Sequence, residues 1–165
     1  KVGGNKHGLM AFGAGSSADV LYGKGFIGAG TNGIVAVAGS IINAQGANCS
    51  NAGVYGIVAE SSSTISANGA NCSNAGSVGI LAMHSSTVNA YGANCSNAGN
   101  IGIHAYASTI NAINAVIQNQ TTGSARVKVL GGSHVAAYGI NTTGGTVPVF
   151  SQAVNTLTGS GIIYQ

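Results

Sequence analysis

The octapeptide Gly-Ala-Asn-Cys-Ser-Asn-Ala-Gly occurs three times, at 46–53, 69–76 and 92–99, with a step of 23 residues between copies. A fixed period of this length is what a stacked solenoid writes into its sequence. Each repeat is one coil that cannot bury its own apolar side and needs a neighbour above and below. The step continues outside the octapeptide, through Ser17, Ser40, Ser63 and Ser86 and through Gly30, Gly53, Gly76 and Gly99. One residue is then lost at Ser108-Thr109-Ile110, and a longer coil leads to Ser133, where Ala137-Tyr138-Gly139-Ile140-Asn141 echoes Ala90-Tyr91-Gly92-Ala93-Asn94 with Thr142 in the cysteine place. About six coils are expected: regular over 17–107, irregular over 108–147, with 148–165 as a terminal strand or cap of one domain spanning 1–165.

Gly, Asn, Ser, Thr and Ala dominate, and only 4% of the residues are charged, a composition that low-complexity disorder shares. Disorder is excluded because 45% of the chain is apolar and recurs at fixed positions, so there is a core to bury. The net charge of +3 comes from scattered residues and lacks the clustered basic face of a nucleic-acid binder. Gly or a polar residue interrupts every apolar run, so no membrane insertion is expected. The opening Lys-Val-Gly-Gly reads as the middle of a coil, which suggests a fragment of a longer chain.

Each coil divides into three short segments, as in Ser63–Ala67, Ala70–Ser73 and Ser77–Met83, punctuated by Gly and Asn. Short runs of period two with such corners predict strands and turns, three strands per coil, and hence an all-β parallel β-helix. Positions that stay constant between copies face the interior: Ile34, Ile57, Ile80 and Ile103; Ala36, Ala59, Ala82 and Ala105; and Ile42, Ile65, Val88, Ile110 and Val135. At about 4.8 Å per rung the rod is on the order of 25 to 30 Å long.

The alternate positions of the third segment point outward and are mostly apolar: Met10, Val35, Val58, Leu81 and His104 in one row, Phe12, Val37, Glu60, Met83 and Tyr106 in the next. A contiguous apolar stripe on a soluble rod marks an association surface. Met10, Phe12, Val35, Val37, Val58, Leu81 and Met83 are therefore expected to form a subunit interface, most simply in a homotrimer.

Cys49, Cys72 and Cys95 stack in a column, which is a line and not the cage that zinc requires, so they read as reduced, buried fillers. No metal or cofactor is expected. Asn48, Asn71 and Asn94 are expected to hydrogen-bond along their ladder, and Asn51, Asn74 and Asn97 to take left-handed corners. Asp19 and Glu60 are the only acids. Glycan chemistry by a carboxylate, or by a His and Tyr pair, makes Glu60, His104 and Tyr106 the catalytic candidates. Tyr91, His104, Tyr106 and Tyr138 are the glycan-binding candidates, while His84 and His134 belong to no constellation. Thr64, Thr87 and Thr109, followed by Ser66, Asn89 and Asn111, form regular outer rows of the kind an ice-binding face needs, broken by Ala18, Ile41 and His134.

The units 40–60, 63–83 and 86–106 resemble the repeated β-helical segments of bacteriophage tailspike and tail-fibre proteins, most strongly over 40–112. The resemblance implies a right-handed parallel β-helix in a homotrimer, located in the virion tail and directed at bacterial surface polysaccharide, capsule or lipopolysaccharide. Such proteins often cleave the glycan by hydrolysis or elimination. No catalytic motif of the family maps onto these residues, so the resemblance favours attachment over depolymerisation for this stretch.

Overall fold

The computed structural model describes residues 6–120 and 125–144, together with the backbone of 162–164. The chain is an all-β parallel solenoid of about 23 residues per turn. One sheet stacks β1 (His7–Phe12), β3 (Asn32–Val37), β5 (Tyr55–Glu60), β7 (Val78–Met83), β9 (Ile101–Tyr106) and β11 (Val127–Leu130) in that order. The other stacks the short strands β2 (Ser17–Asp19), β4 (Ile41–Asn43), β6 (Thr64–Ser66), β8 (Thr87–Asn89), β10 (Thr109–Asn111) and β12 (His134–Ala136), and ends on β13 (Ile162–Tyr164). All pairings are parallel and follow the repeat, as in Ile57↔Ile80 and Thr64↔Thr87, except in the first coil. There one extra residue pairs Ser17 with Ile41 and not with Ser40, so Ala18 lies inward beside Ile42 and not in the outer row expected for it. Six rungs of the long sheet enclose five full turns, so the sequence estimate of about six coils counts rungs and not turns. Of the stretch 148–165, expected as a terminal strand or cap, only β13 lies within the described residues.

The predicted interior ladders form the core. Ile34, Ile57, Ile80 and Ile103 and the row Ile42, Ile65, Val88, Ile110 and Val135 have no exposed surface. Each such side chain contributes on the order of 1.5–3 kcal/mol by leaving water. The cysteine column is buried and free of disulfides, as the sequence suggests. The Cys49 thiol is pushed far above its ordinary range by its hydrogen bond with Cys72 and by burial. Cys72 is also raised: the bond with Cys49 acts to lower it, but contact with Cys95 and burial outweigh that.

Two strands per turn, not three, are formed. The third segment supplies only single bridges, Asn48↔Asn71 and Asn71↔Asn94. The reason is local. Asn48, Asn71 and Asn94 turn their Oδ1 back to accept from the backbone N–H of Ser50, Ser73 and Ser96, at 3.1, 3.1 and 3.0 Å, instead of bonding along the column. Three residues on, Asn51, Asn74 and Asn97 take positive φ of 57–58°, the expected left-handed corner. An Asx turn followed by a left-handed residue leaves no extended run to propagate.

A buried serine ladder, which in the sequence only marks the period, closes the other corner. Ser63, Ser86 and Ser108 donate their backbone N–H to the hydroxyl of the serine one rung on, at 3.2, 3.2 and 3.0 Å. The hydroxyls of Ser63 and Ser108 in turn donate to the carbonyls that end the long strands, Glu60 O at 2.7 Å and Tyr106 O at 2.9 Å. Polar backbone at a tight buried corner is thereby satisfied.

The outer face of the long sheet differs from expectation. Val35, Val58 and Leu81 are only 4–5% exposed and form a second cluster with Val78 and Ile101, packed against Val37, Tyr55 and Met83. The cause is a bend at Gly33, Gly56 and Gly79. A Cβ on Gly56 would lie 2.6 Å from the Cβ of Cys72, so this glycine faces the core, as does the adjacent Ile57. Two successive inward residues bend the strand and bring Val78 and Leu81 together on the outside. The apolar stripe is thus largely covered by its own chain; of the residues expected at the interface Met10 and Phe12, 48% and 66% exposed, are the most open, and Tyr106 in the same rows is 44% exposed.

Candidate functional site

The short sheet has an outer face of a different kind. In β4, β6, β8 and β10 the central aliphatic residue faces the core and its two neighbours face out. The outward positions are Ile41 and Asn43, Thr64 and Ser66, Thr87 and Asn89, Thr109 and Asn111, so hydroxyls and amides repeat at the rung spacing of about 4.8 Å. Asn111 Nδ2 donates to Asn89 Oδ1 at 3.2 Å, and Ile113 N donates to Asn111 Oδ1 at 3.2 Å, which fixes the amides in register. Asp19 on β2 and His134 on β12 lie at the two ends, and the four central rungs of these rows carry no charged side chain.

One border of this face is a corner row. Backbone bonds from Gly46 N to Asn68 O, Gly69 N to Tyr91 O, Gly92 N to Ile113 O and Asn114 N to Tyr138 O set its register, which runs Gln45, Asn68, Tyr91, Ile113, Tyr138, while Gly23 N to Gly46 O sets Tyr22 one row over, beside Gly46. Tyr22, Tyr91 and Tyr138 are 84%, 48% and 70% exposed. The Tyr91 hydroxyl accepts from Asn114 Nδ2 at 2.8 Å, which holds the ring at the edge. Two of the expected glycan-binding residues, Tyr91 and Tyr138, therefore share one edge, and Tyr22, which the sequence pattern does not single out, stands in the adjacent row opposite Gly46. A 23-residue step from Tyr91 lands on Asn68 and Gln45, so the aromatic recurs too rarely to register as a repeat.

The opposite border carries the titratable cluster. Glu60, Met83 and Tyr106 occupy equivalent positions at the ends of β5, β7 and β9. His84, directly after β7, places Nδ1 3.6 Å from Glu60 Oε1 and packs edge-on against the Tyr106 ring at a centroid distance of 5.8 Å. In the sequence His84 is an isolated corner residue, yet it is the one that joins Glu60 to Tyr106. Its backbone is left-handed, φ 54°, as are Ser61, Ser62 and Ser85 at φ 55°, 62° and 64°. Residues with a Cβ carry a cost there of about 1–2 kcal/mol each. Period-two logic places side chains on strands only, so it gives no view of what a corner residue reaches.

His104 is not part of this cluster. It pairs in register with Leu81 and Lys128, half-buried in the outer apolar row, and its Nε2 is buried without a hydrogen-bond partner. Burial, and then the Lys128 charge, lower its pKa. The expected pairing of His104 with Tyr106 is thus replaced by His84 with Tyr106. Among the described residues no three His, Cys, Asp or Glu side chains converge as a metal site would need, and no helix is long and apolar enough to cross a membrane.

The fold and these two borders define a β-solenoid with one polar, nearly uncharged face. No protein-family model, no curated protein and no solved structure matches the chain.

Proposed function

We propose that the chain is a rigid β-solenoid segment of a surface-attachment fibre, of the bacteriophage tailspike or tail-fibre kind, that binds bacterial surface polysaccharide, capsule or lipopolysaccharide. The observation that carries this reading is the short-sheet face: in-register hydroxyl and amide rows bordered by exposed tyrosines. Pyranose rings present the complementary surface, with equatorial hydroxyls for the Thr and Asn rows and an apolar C–H face for a tyrosine ring. The rest of the surface offers few specific groups, in keeping with a scaffold. In this reading the chain works as a homotrimer in the virion tail, with Met10 and Phe12 as its exposed apolar contacts. A glycan array of capsular and lipopolysaccharide fragments tests the binding, and retention on no fragment overturns it. Sedimentation tests the assembly, and a stable monomer at micromolar concentration removes the trimer.

A second reading, a glycan depolymerase, rests on the Glu60, His84 and Tyr106 cluster, where a carboxylate beside an imidazole supplies the parts of a general acid–base pair. The cluster lies on an open corner and not in a cleft, which favours attachment. Incubation with the polysaccharide that binds, followed by assay for new reducing ends or unsaturated sugars, decides between them. Cleavage lost in both Glu60→Gln and His84→Gln would establish the enzyme.

A further inference from the structure

Resting on that reading, we infer that the ligand is a neutral, extended polysaccharide lying parallel to the solenoid axis, with about one sugar ring per rung. The direction follows from the repeat. Along the axis the face offers the same group at each step, Thr64, Thr87 and Thr109 in one row and Ser66, Asn89 and Asn111 in the next. A polymer of linked sugars also offers the same hydroxyls at each step, and the length of one ring in an extended chain is close to the rung spacing of about 4.8 Å. Across the axis the face changes at every outward position, from Thr87 to Asn89 to Tyr91, and extends only about 13 Å. A polymer crossing it would meet each kind of group once.

Charge decides the class of sugar. An anionic glycan needs cations to replace the water it loses, and Arg or Lys supplies them wherever acidic sugars or phosphates are bound. The outward positions from Ile41 to Asn111 hold none, and Asp19 at one end repels a carboxylate. Hydroxyl and amide groups both donate and accept, as sugar hydroxyls do. The exposed aromatic that a sugar face stacks on is already oriented, since Asn114 holds the Tyr91 hydroxyl.

The test is calorimetric titration of the folded chain with two series of β-linked oligosaccharides of increasing length, one of neutral glucose units and one containing uronates, at low and high salt. Affinity for the neutral series is expected to rise with each added sugar up to about three, one for each rung from β6 to β10, and to change less than about twofold with salt. Thr87→Lys, at an exposed position, and Tyr91→Ala should each weaken it about tenfold while the thermal unfolding curve is retained. Binding of the uronate series alone, with steep salt dependence, overturns the inference and leaves polysaccharide attachment standing. Saturation at a single sugar overturns the axial placement. Binding of neither series overturns both, and thermal hysteresis that disappears in Thr87→Lys would assign the face to ice instead.

Discussion

Replacing Gly56 by alanine isolates the geometric requirement that the bend in each long strand imposes. The added Cβ would sit 2.6 Å from the Cβ of Cys72, 2.6 Å from the carbonyl oxygen of Gly79 and 3.1 Å from the Cys72 sulfur. Two of these three neighbours cannot swing aside: one is backbone of the next rung and one is a Cβ fixed by its own strand. Relief requires separating rungs whose spacing is held by Cys49 N to Asn71 O at 2.7 Å and by the pairing of β5 with β7. Overpacking of a close-packed interior costs about 1–3 kcal/mol when side chains can adjust, and the upper end applies where they cannot. Gly69→Ala supplies the control. Gly69 has φ 64°, and a Cβ there would have nothing within 4 Å, so alanine meets only the left-handed penalty of about 1–2 kcal/mol.

Urea unfolding of the two variants should therefore rank Gly56→Ala as the more destabilised by about 1–2 kcal/mol, with a similar slope against urea for both. Adding Cys72→Ala to Gly56→Ala removes the sulfur and leaves the Cβ contact and the Gly79 oxygen in place, so the double variant should recover little. Stability of Gly56→Ala within about 0.5 kcal/mol of the parent would refute the close approach of Gly56 to Cys72 and with it the account of the bend.

Three further outcomes follow from other parts of the fold. Ser62→Gly, at an exposed corner residue with φ 62°, should raise stability by about 1 kcal/mol in the same assay, because it relieves a left-handed Cβ. Ser86→Ala should lower it by about 1–3 kcal/mol, because the Ser63 N–H that donates to Ser86 Oγ is left buried without a partner. The His104 pKa is held low in the fold by burial and by Lys128, so the neutral ring is favoured there; that stability is complete above the unfolded value near 6.5 and is lost as pH falls through the folded value. His104→Leu, matching Leu81 in the same row, should flatten the acid side of the stability–pH curve, and an unchanged acid limb would remove His104 as its source.

Legibility divides along the line between stacked and unstacked residues. Ile57, Ala59 and Ile65 are readable as interior because a core position sees the same neighbours in every coil and so keeps the same residue. The period supplies rung, register and strand direction for the same reason. Val58 and Leu81 escape it because alternation assigns them to an open outer face, and nothing in the alternation announces that Gly56 and Ile57 both turn inward. The signal that is present lies in the invariance of Gly33, Gly56, Gly79 and Gly102 opposite Cys49, Cys72, Cys95 and Ile117, small against larger across the core. Asn71 reads as a strand residue because its flanks alternate, although an Asn two residues before a serine N–H competes for the backbone and ends the strand instead.

The same division bears on where recognition can reside. Rows that hold the rungs together are identical because any change would propagate to two neighbours, so Cys72, Asn71 and Ser63 are fixed by stacking and have no freedom left for a ligand. Outward rows are released from that constraint. On the long sheet the released positions are taken up by a second apolar cluster that covers itself, and His104 enters it as a half-buried base. On the short sheet they remain open, and over the three rungs from β6 to β10 the residues vary only within one chemistry, Thr with Thr and Ser with Asn, with Ile41 and His134 bounding that run. Freedom to vary without departure from hydroxyls and amides is what a repeating, uncharged ligand would impose. The corner of Glu60, His84 and Tyr106 shows the opposite pattern, three different residues at neighbouring positions of successive coils, joined through His84, whose left-handed backbone glycine would hold with less strain. A repeated ladder can grip a polymer anywhere along its length, and only a place where the copies differ can single out one position on it.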